Sequence, residues 1–179
     1  MAKLKAVDSL LVLSAQQGSK AAFEELFGRY QSSLLGFAMK LANDLELAQD
    51  ATQETWLHIA KSLPKLKEPR AFKAWLFKSL RWRLADIQRK HKDSETLKEE
   101  HMKDAVTGQL DREVDSSNAL YLGLTELDKQ CIHLFYLEQM TVVEVSAVLD
   151  VPAGTVKSRL YRARNKIKQN LSEENDDGY

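Results

Sequence analysis

At 179 residues, 44% of them hydrophobic and with only seven glycines and three prolines, the chain suits one or two compact helical domains, and its single cysteine, Cys131, excludes a disulfide framework within the monomer. The 26 basic and 26 acidic residues cancel to a formal charge of zero, which excludes a uniformly charged protein but leaves room for separate charged surfaces. The apolar run LLVL at residues 10–13 is too short for a signal-peptide core or a bilayer span, so a cytoplasmic protein without membrane insertion is expected.

The first periodic segment, SKAAFEELFGRYQSSLLGFAMKLA, places Ala22, Leu26, Tyr30, Leu34, Phe37 and Leu41 at spacings of three and four, the pattern of an amphipathic helix. A second helix is expected over ELAQDATQETWLHIAKSL. Asp50, Glu54 and His58 recur on it at i, i+4 and i+8, but a carboxylate-bridged metal site needs Glu-x-x-His on two helices and the sequence offers no second one. No metal or other cofactor is expected. Pro64 and Pro69 then bound PKLKEP as a constrained loop. The third helix, RAFKAWLFKSLRWRLADIQRKHK, turns Leu76, Leu80, Leu84 and Ile87 to a core. Its other faces carry Lys73, Lys78, Arg81, Arg89 and Lys90 among Phe72, Trp75, Phe77 and Trp82. That mixture suits single-stranded nucleic acid, since cations hold the backbone while rings stack on unpaired bases. At least two of the four aromatics are expected in the core.

Charge is distributed in blocks. Residues 70–92 hold eight bases against one acid (+7), and residues 93–117 hold eight acids against three bases (−5) with little apolar periodicity, the composition of a flexible acidic linker. Residues 118–151 carry five acids and one base (−4), residues 152–170 six bases (+6), and the last nine residues four acids (−4). Two basic surfaces on either side of an acidic tether suit a long polyanion contacted at two places.

Beyond the linker, TVVEVSAVLD reads as a short helix, with Thr141 as N-cap, Glu144 at the capping-box position and Val142, Val145, Val148 and Leu149 at helical spacing. It ends at Asp150, which tolerates the left-handed conformation, and Pro152 restarts a helix near Ala153. That helix, beginning GTVKSRLYRAR, buries Val156, Leu160, Ala163 and Ile167 at i, i+4, i+7 and i+11. Lys157, Ser158, Tyr161 and Arg162 fall on the other side, a face able to donate to base edges and phosphates; Arg159 and Lys166 are counted with them. Two helices across so short a turn, the second basic, form a helix-turn-helix. Cys131 lies in the apolar run CIHLFYL, where packing is its expected role. No phosphate loop, nucleophile constellation or zinc-ligand spacing occurs, so no catalytic activity is expected.

Four segments, LSAQQGSKAAFEELFGRY, AQDATQETWL, RAFKAWLFKSL and AGTVKSRLYRARNKIKQNL, resemble in order the signatures of the extracytoplasmic-function (group IV) sigma factors. The resemblance covers about residues 10–91 and 118–171. It implies a transcription initiation factor with core RNA polymerase, duplex and single-stranded promoter DNA, and an anti-sigma factor as partners, of a kind tied to stress response. Asp50, Gln53, Glu54 and Leu57 match the family's core-polymerase-binding helix. The loop residues Lys65, Leu66 and Lys67 match the frame of a pocket for an extruded minus-ten base, with Lys73, Lys78, Arg81 and Trp82 as the accompanying helix surface. Trp82 departs from the pattern, because many relatives carry Asn there. Lys157, Ser158, Arg159, Tyr161, Arg162 and Lys166 match the helix that reads the minus-thirty-five element.

The expected fold is therefore all-α, with two small helical domains at residues 1–92 and 118–171, an acidic linker at 93–117 and an acidic tail at 172–179. A helix-turn-helix regulator that never binds polymerase is the alternative, but it leaves AQDATQETWL and the basic third helix without a role.

Overall fold

Short polar side chains set where the helices begin. Ser19, Asp44, Thr125 and Thr141 each sit in extended backbone and accept a hydrogen bond from the N–H three residues on, satisfying a donor that the first helical turn leaves open. In the computed structural model, which describes residues 2–99 and 120–176 and the side chains of 6–90 and 120–172, the chain divides into two units, Met1–His101 and Met102–Tyr179. No β-strand occurs among the described residues. Residues 100–117 of the expected linker and 177–179 of the expected tail lie outside them.

The first unit is built from α1 (Ala2–Gln16), α2 (Lys20–Ala42), α3 (Leu45–Ser62) and α4 (Phe72–Glu99). α2 buries Ala22, Leu26, Tyr30, Leu34 and Phe37 as its periodicity predicts. α3 contributes Ala48, Ala51, Trp56 and Ile59. Thr52 and Thr55 share its inner face, where each hydroxyl donates to the carbonyl four residues back at 2.7 Å and so enters the core satisfied. α4 adds Phe72, Leu76, Phe77, Leu80 and Leu84, while Ile87 is half-buried. Phe37 and Phe77 meet at 5.5 Å between ring centroids and Tyr30 and Phe72 at 5.7 Å. Each such side chain removed from water stabilises the unit by about 1.5–3 kcal/mol, so these rings dominate a core this small.

α1 goes beyond what the sequence predicts. It buries Val12 fully, and its Asp8, 9% exposed, accepts from Tyr30 Oη at 2.6 Å and Arg29 Nη1 at 3.2 Å. A carboxylate at that depth is tolerated because both oxygens are hydrogen-bonded. Gly18, at φ 93°, reverses the chain between α1 and α2. Two short 3₁₀ turns, Leu63–Lys65 and Pro69–Ala71, shape the loop between α3 and α4.

The second unit holds α5 (Glu126–Ile132), a π-helical turn (His133–Leu137), α6 (Val142–Leu149) and α7 (Ala153–Asp176). The capping box at Thr141 is complete: Thr141 N donates to Glu144 Oε2 at 2.7 Å, and Glu144 N to Thr141 Oγ1 at 3.2 Å. Asp150 takes the left-handed conformation, φ 60° and ψ 41°, and Ser146 Oγ closes the turn on Val151 O at 2.6 Å. Cys131, Leu134, Val145, Val148, Val156 and Ala163 form the fully buried core, which confirms Cys131 as a packing residue.

Candidate functional site

α7 has three faces. Val156, Leu160 and Ala163 are buried, with Ile167 half-buried after them. A second stripe, Arg159, Lys166 and Asn170 at i, i+7 and i+11, also turns inward, although its chemistry is polar. Arg159 Nη1 donates to Asp128 Oδ1 at 2.9 Å. Asn170 Nδ2 donates to the carbonyls of Leu120 and Leu122 at 3.0 and 3.1 Å. Lys166 lays its stem across Gly123, where a Cβ would come within 2.9 Å of Cε; glycine there allows both the φ of 76° and the close approach. The third face is left to solvent. Lys157, Ser158, Tyr161 and Arg162 are exposed on it together, Tyr161 by 61%, and Ser158 Oγ donates back to Thr155 O at 2.9 Å. The structure thus brings together four of the six side chains expected on the DNA-reading face and turns Arg159 and Lys166 toward residues 120–128.

Asp128 anchors that arrangement. It is 7% exposed, its Oδ2 accepts from Thr125 N and Oγ1 at 3.2 and 2.6 Å, and Oδ1 takes the Arg159 guanidinium. Burial pushes the carboxyl pKa up, but the hydrogen bonds from Thr125 and Arg159 together with the Arg159 charge outweigh it and hold the group below its ordinary value. Thr125, followed three residues later by Asp128 and then an apolar run, was the sequence signal for this capped helix; the polar partner on α7 had none.

In the first unit, Asp50, Gln53, Glu54 and Leu57 form one exposed stripe on α3 at i, i+3, i+4 and i+7. Leu57 is 56% exposed, an apolar side chain left beside acceptors. Glu54 also pairs with Arg83 of α4 at 3.7 Å. His58, on the same helix, turns toward the Trp75 ring, 6.3 Å between centroids. Among the described residues no group of three His, Cys, Asp or Glu side chains comes together to hold a metal.

The loop leaves Lys65 and Lys67 exposed and Leu66 half-buried, and α1 braces it through Gln16. On α4, Phe72 and Phe77 are core, as expected of at least two of the aromatics. Lys73, Lys78 and Arg81 are half-buried, Lys73 lying 5.7 Å from the Tyr30 ring centroid and 5.8 Å from that of Phe77. Trp82 is 66% exposed. It stands ten residues beyond Phe72, about 15 Å along the axis, level with the Arg83–Glu54 pair rather than with the loop.

Residues 26–93 match Sigma-70 region 2 and residues 122–169 match Sigma-70, region 4. The chain belongs to the sigma-70 family of RNA polymerase sigma factors. This sigma factor is 27% identical to the RNA polymerase sigma-H factor of Pseudomonas aeruginosa over 92% of its own chain and 93% of that protein. It is also 27% identical to the ECF RNA polymerase sigma-E factor of Haemophilus influenzae, over 92% and 95%. Such relatives place it in the extracytoplasmic-function group, and they are sigma factors, not enzymes. Among solved structures, RpoE in complex with the anti-sigma factor NepR from Bartonella quintana is 25% identical, with a TM-score of 0.65 over 84% of this chain and 96% of that one. CnrH in complex with the cytosolic domain of CnrY, at 23% identity and a TM-score of 0.68 over 93% and 98%, shares the fold. A regulator with only a helix-turn-helix has no counterpart of region 2, so that alternative is not favoured. Among the described residues no helix is long and apolar enough to cross a membrane.

The Asp128 carboxylate carries a pH prediction. Because its folded pKa lies below the ordinary 3.8, its contribution is complete above that value and is lost as pH falls through the folded one. Asp128→Asn is expected to lower the stability of the second unit at neutral pH by about 2 kcal/mol and to flatten its decline in acid. Amide exchange of α5 and α7 in the full chain, followed against pH, checks this; parallel profiles for the two proteins would contradict it.

Proposed function

We propose that this sigma factor docks on core RNA polymerase through the α3 stripe, captures the opened minus-ten strand with the loop and outer surface of α4, and reads the minus-thirty-five element in duplex form with the free face of α7. The observation that carries the proposal is the division of α7. Its other faces are engaged within the unit, so Lys157, Ser158, Tyr161 and Arg162 are free to enter a major groove. Arg162 is the base reader of the set, since a guanidinium matches the paired acceptors of guanine. Arg159 and Lys166 keep the helix in place and contact DNA less. Lys168, exposed farther along, meets phosphate.

On α3, a hydrophobic side chain flanked by Asp50, Gln53 and Glu54 suits a basic, partly apolar helix of the polymerase. On α4, the exposed indole of Trp82 offers a stacking platform for an unpaired base, flanked by Lys78 and Arg81 for the backbone. Stacking tolerates any base, which supports weak base preference at one minus-ten position. The protein works in the cytoplasm without catalysis of its own. The Bartonella relative solved with its anti-sigma factor supports control of this chain by a protein of the same kind.

Two measurements test the reading. Replacing Asp50 and Glu54 together with lysine should lower affinity for core polymerase about tenfold or more while the helical content stays unchanged, since exposed charges cost little stability. Unchanged core affinity would remove the α3 assignment. In promoter-variant series, Arg162→Ala should cost about 1–3 kcal/mol of discrimination at one minus-thirty-five position, whereas Lys168→Ala should weaken all variants alike and reduce the salt slope by roughly one. An equal loss on every variant with Arg162→Ala would overturn the base-reading role.

A further inference from the structure

α1 precedes the region 2 match, which begins at residue 26, yet it holds the loop that lies inside that match. Gln16 is its last residue. From there Nε2 donates to Leu63 O at 2.9 Å and to Leu66 O at 2.8 Å, spanning 47 and 50 residues of chain. The two carbonyls flank Pro64 in the first 3₁₀ turn, whose internal support is the Leu66 N to Leu63 O bond at 3.0 Å. Proline supplies no donor and a single 3₁₀ turn is weak by itself, so the shape of residues 63–66 depends on an outside group. A primary amide fits the task, because its nitrogen carries two hydrogens and each carbonyl takes one.

The arm that carries Gln16 is itself fixed. Asp8 ties α1 to Tyr30 and Arg29 of α2, and Val12 is fully buried between these two attachments. The amide is thus presented from a docked helix and not from a free end. Its partners lie beside Lys65 and Lys67, which point to solvent.

We propose that Gln16 is a positioning residue for promoter opening: it sets the loop at residues 63–66 in the shape that receives the displaced minus-ten strand, without touching DNA. The proposal rests on the strand-capturing role given to this loop above. A loop held in its bound shape beforehand loses little conformational freedom when the strand arrives; an unanchored loop must be ordered at that moment, and the cost comes out of the affinity.

The test uses holoenzyme reconstituted from core polymerase and the full chain, with a single-stranded minus-ten oligonucleotide as probe. Gln16→Met keeps the length and removes the donor; Gln16→Lys restores a donor on a similar stem. The methionine variant is expected to bind the oligonucleotide about tenfold more weakly, the scale of one or two hydrogen bonds, and the lysine variant to recover most of the loss. Affinity for core is expected to stay unchanged in both. Hydrogen exchange in the free chain should quicken at residues 63–67 alone. Wild-type oligonucleotide affinity in the methionine variant overturns the proposal, as does faster exchange spread from α1 to α4, which would make Gln16 a residue of the fold. The loop's own role is tested separately by Lys65→Ala with Lys67→Ala: undiminished oligonucleotide binding there removes the strand-capturing reading and the proposal with it, whereas weakened binding there beside an unaffected methionine variant removes only the role of Gln16.

Discussion

Beneath α7, the Asp128 carboxylate accepts hydrogen bonds from Thr125 N, Thr125 Oγ1 and Arg159 Nη1. One group therefore starts α5 and fixes the rotation of α7, and the rotation decides which side chains α7 presents. A turn by a single residue is about 100°, enough to carry Lys157 into the core and Val156 into solvent. The apolar stripe alone sets that angle loosely, because packing tolerates small rotations. A charged hydrogen bond between partners whose side chains are 22% and 10% exposed sets it tightly, since either group left alone at that depth would be costly. Asn170 and Lys166 extend the same constraint along the helix, through the carbonyls of Leu120 and Leu122 and the bare backbone of Gly123.

The first unit solves its positioning with aromatic packing and long-range polar ties. Phe37, Phe72 and Phe77 hold α2 and α4 together, and the Arg83–Glu54 pair lies across α3 and α4 at the surface. Its outer surface is then divided: acceptors and Leu57 on α3, cations and Trp82 on α4, and a braced loop between the two helices. The zero net charge of the chain comes from blocks of opposite sign, the bases of residues 70–92 and 152–170 being offset by the acids of 93–117, 118–151 and the last nine residues. Under the proposed function the α3 stripe serves a basic protein partner and the two basic surfaces serve one polyanion, with affinity gained from engaging both. A uniformly basic chain would bind DNA everywhere; a neutral one with clustered charge reserves its attraction for the docked geometry.

What could be read from the sequence was what is encoded locally. Thr141, Glu144, Asp150 and Pro152 specify the start, stop and restart of two helices within a dozen residues, and the structure places all of them where those signals put them. The α2 stripe and the exposed α3 stripe were legible for the same reason, as simple periodicities. α1 was not, because it buries Val12 and ties Asp8 to Tyr30 and Arg29 of α2, and no local pattern announces either. Arg159 and Lys166 are counted with the DNA contacts through the resemblance of their segment; their inward direction depends on Asp128 and Gly123, more than thirty residues away in sequence. Sequence periodicity names a face, but only the partner decides whether a polar face looks outward.

Transcription by core polymerase with and without the purified chain on a pool of promoter fragments, with the 5′ ends of the transcripts mapped, tests the initiation role most directly. New 5′ ends are expected only when both are present, aligned downstream of two short elements at fixed spacing. Tight binding of the chain alone to duplex DNA, with no new 5′ ends when core is added, would contradict that role.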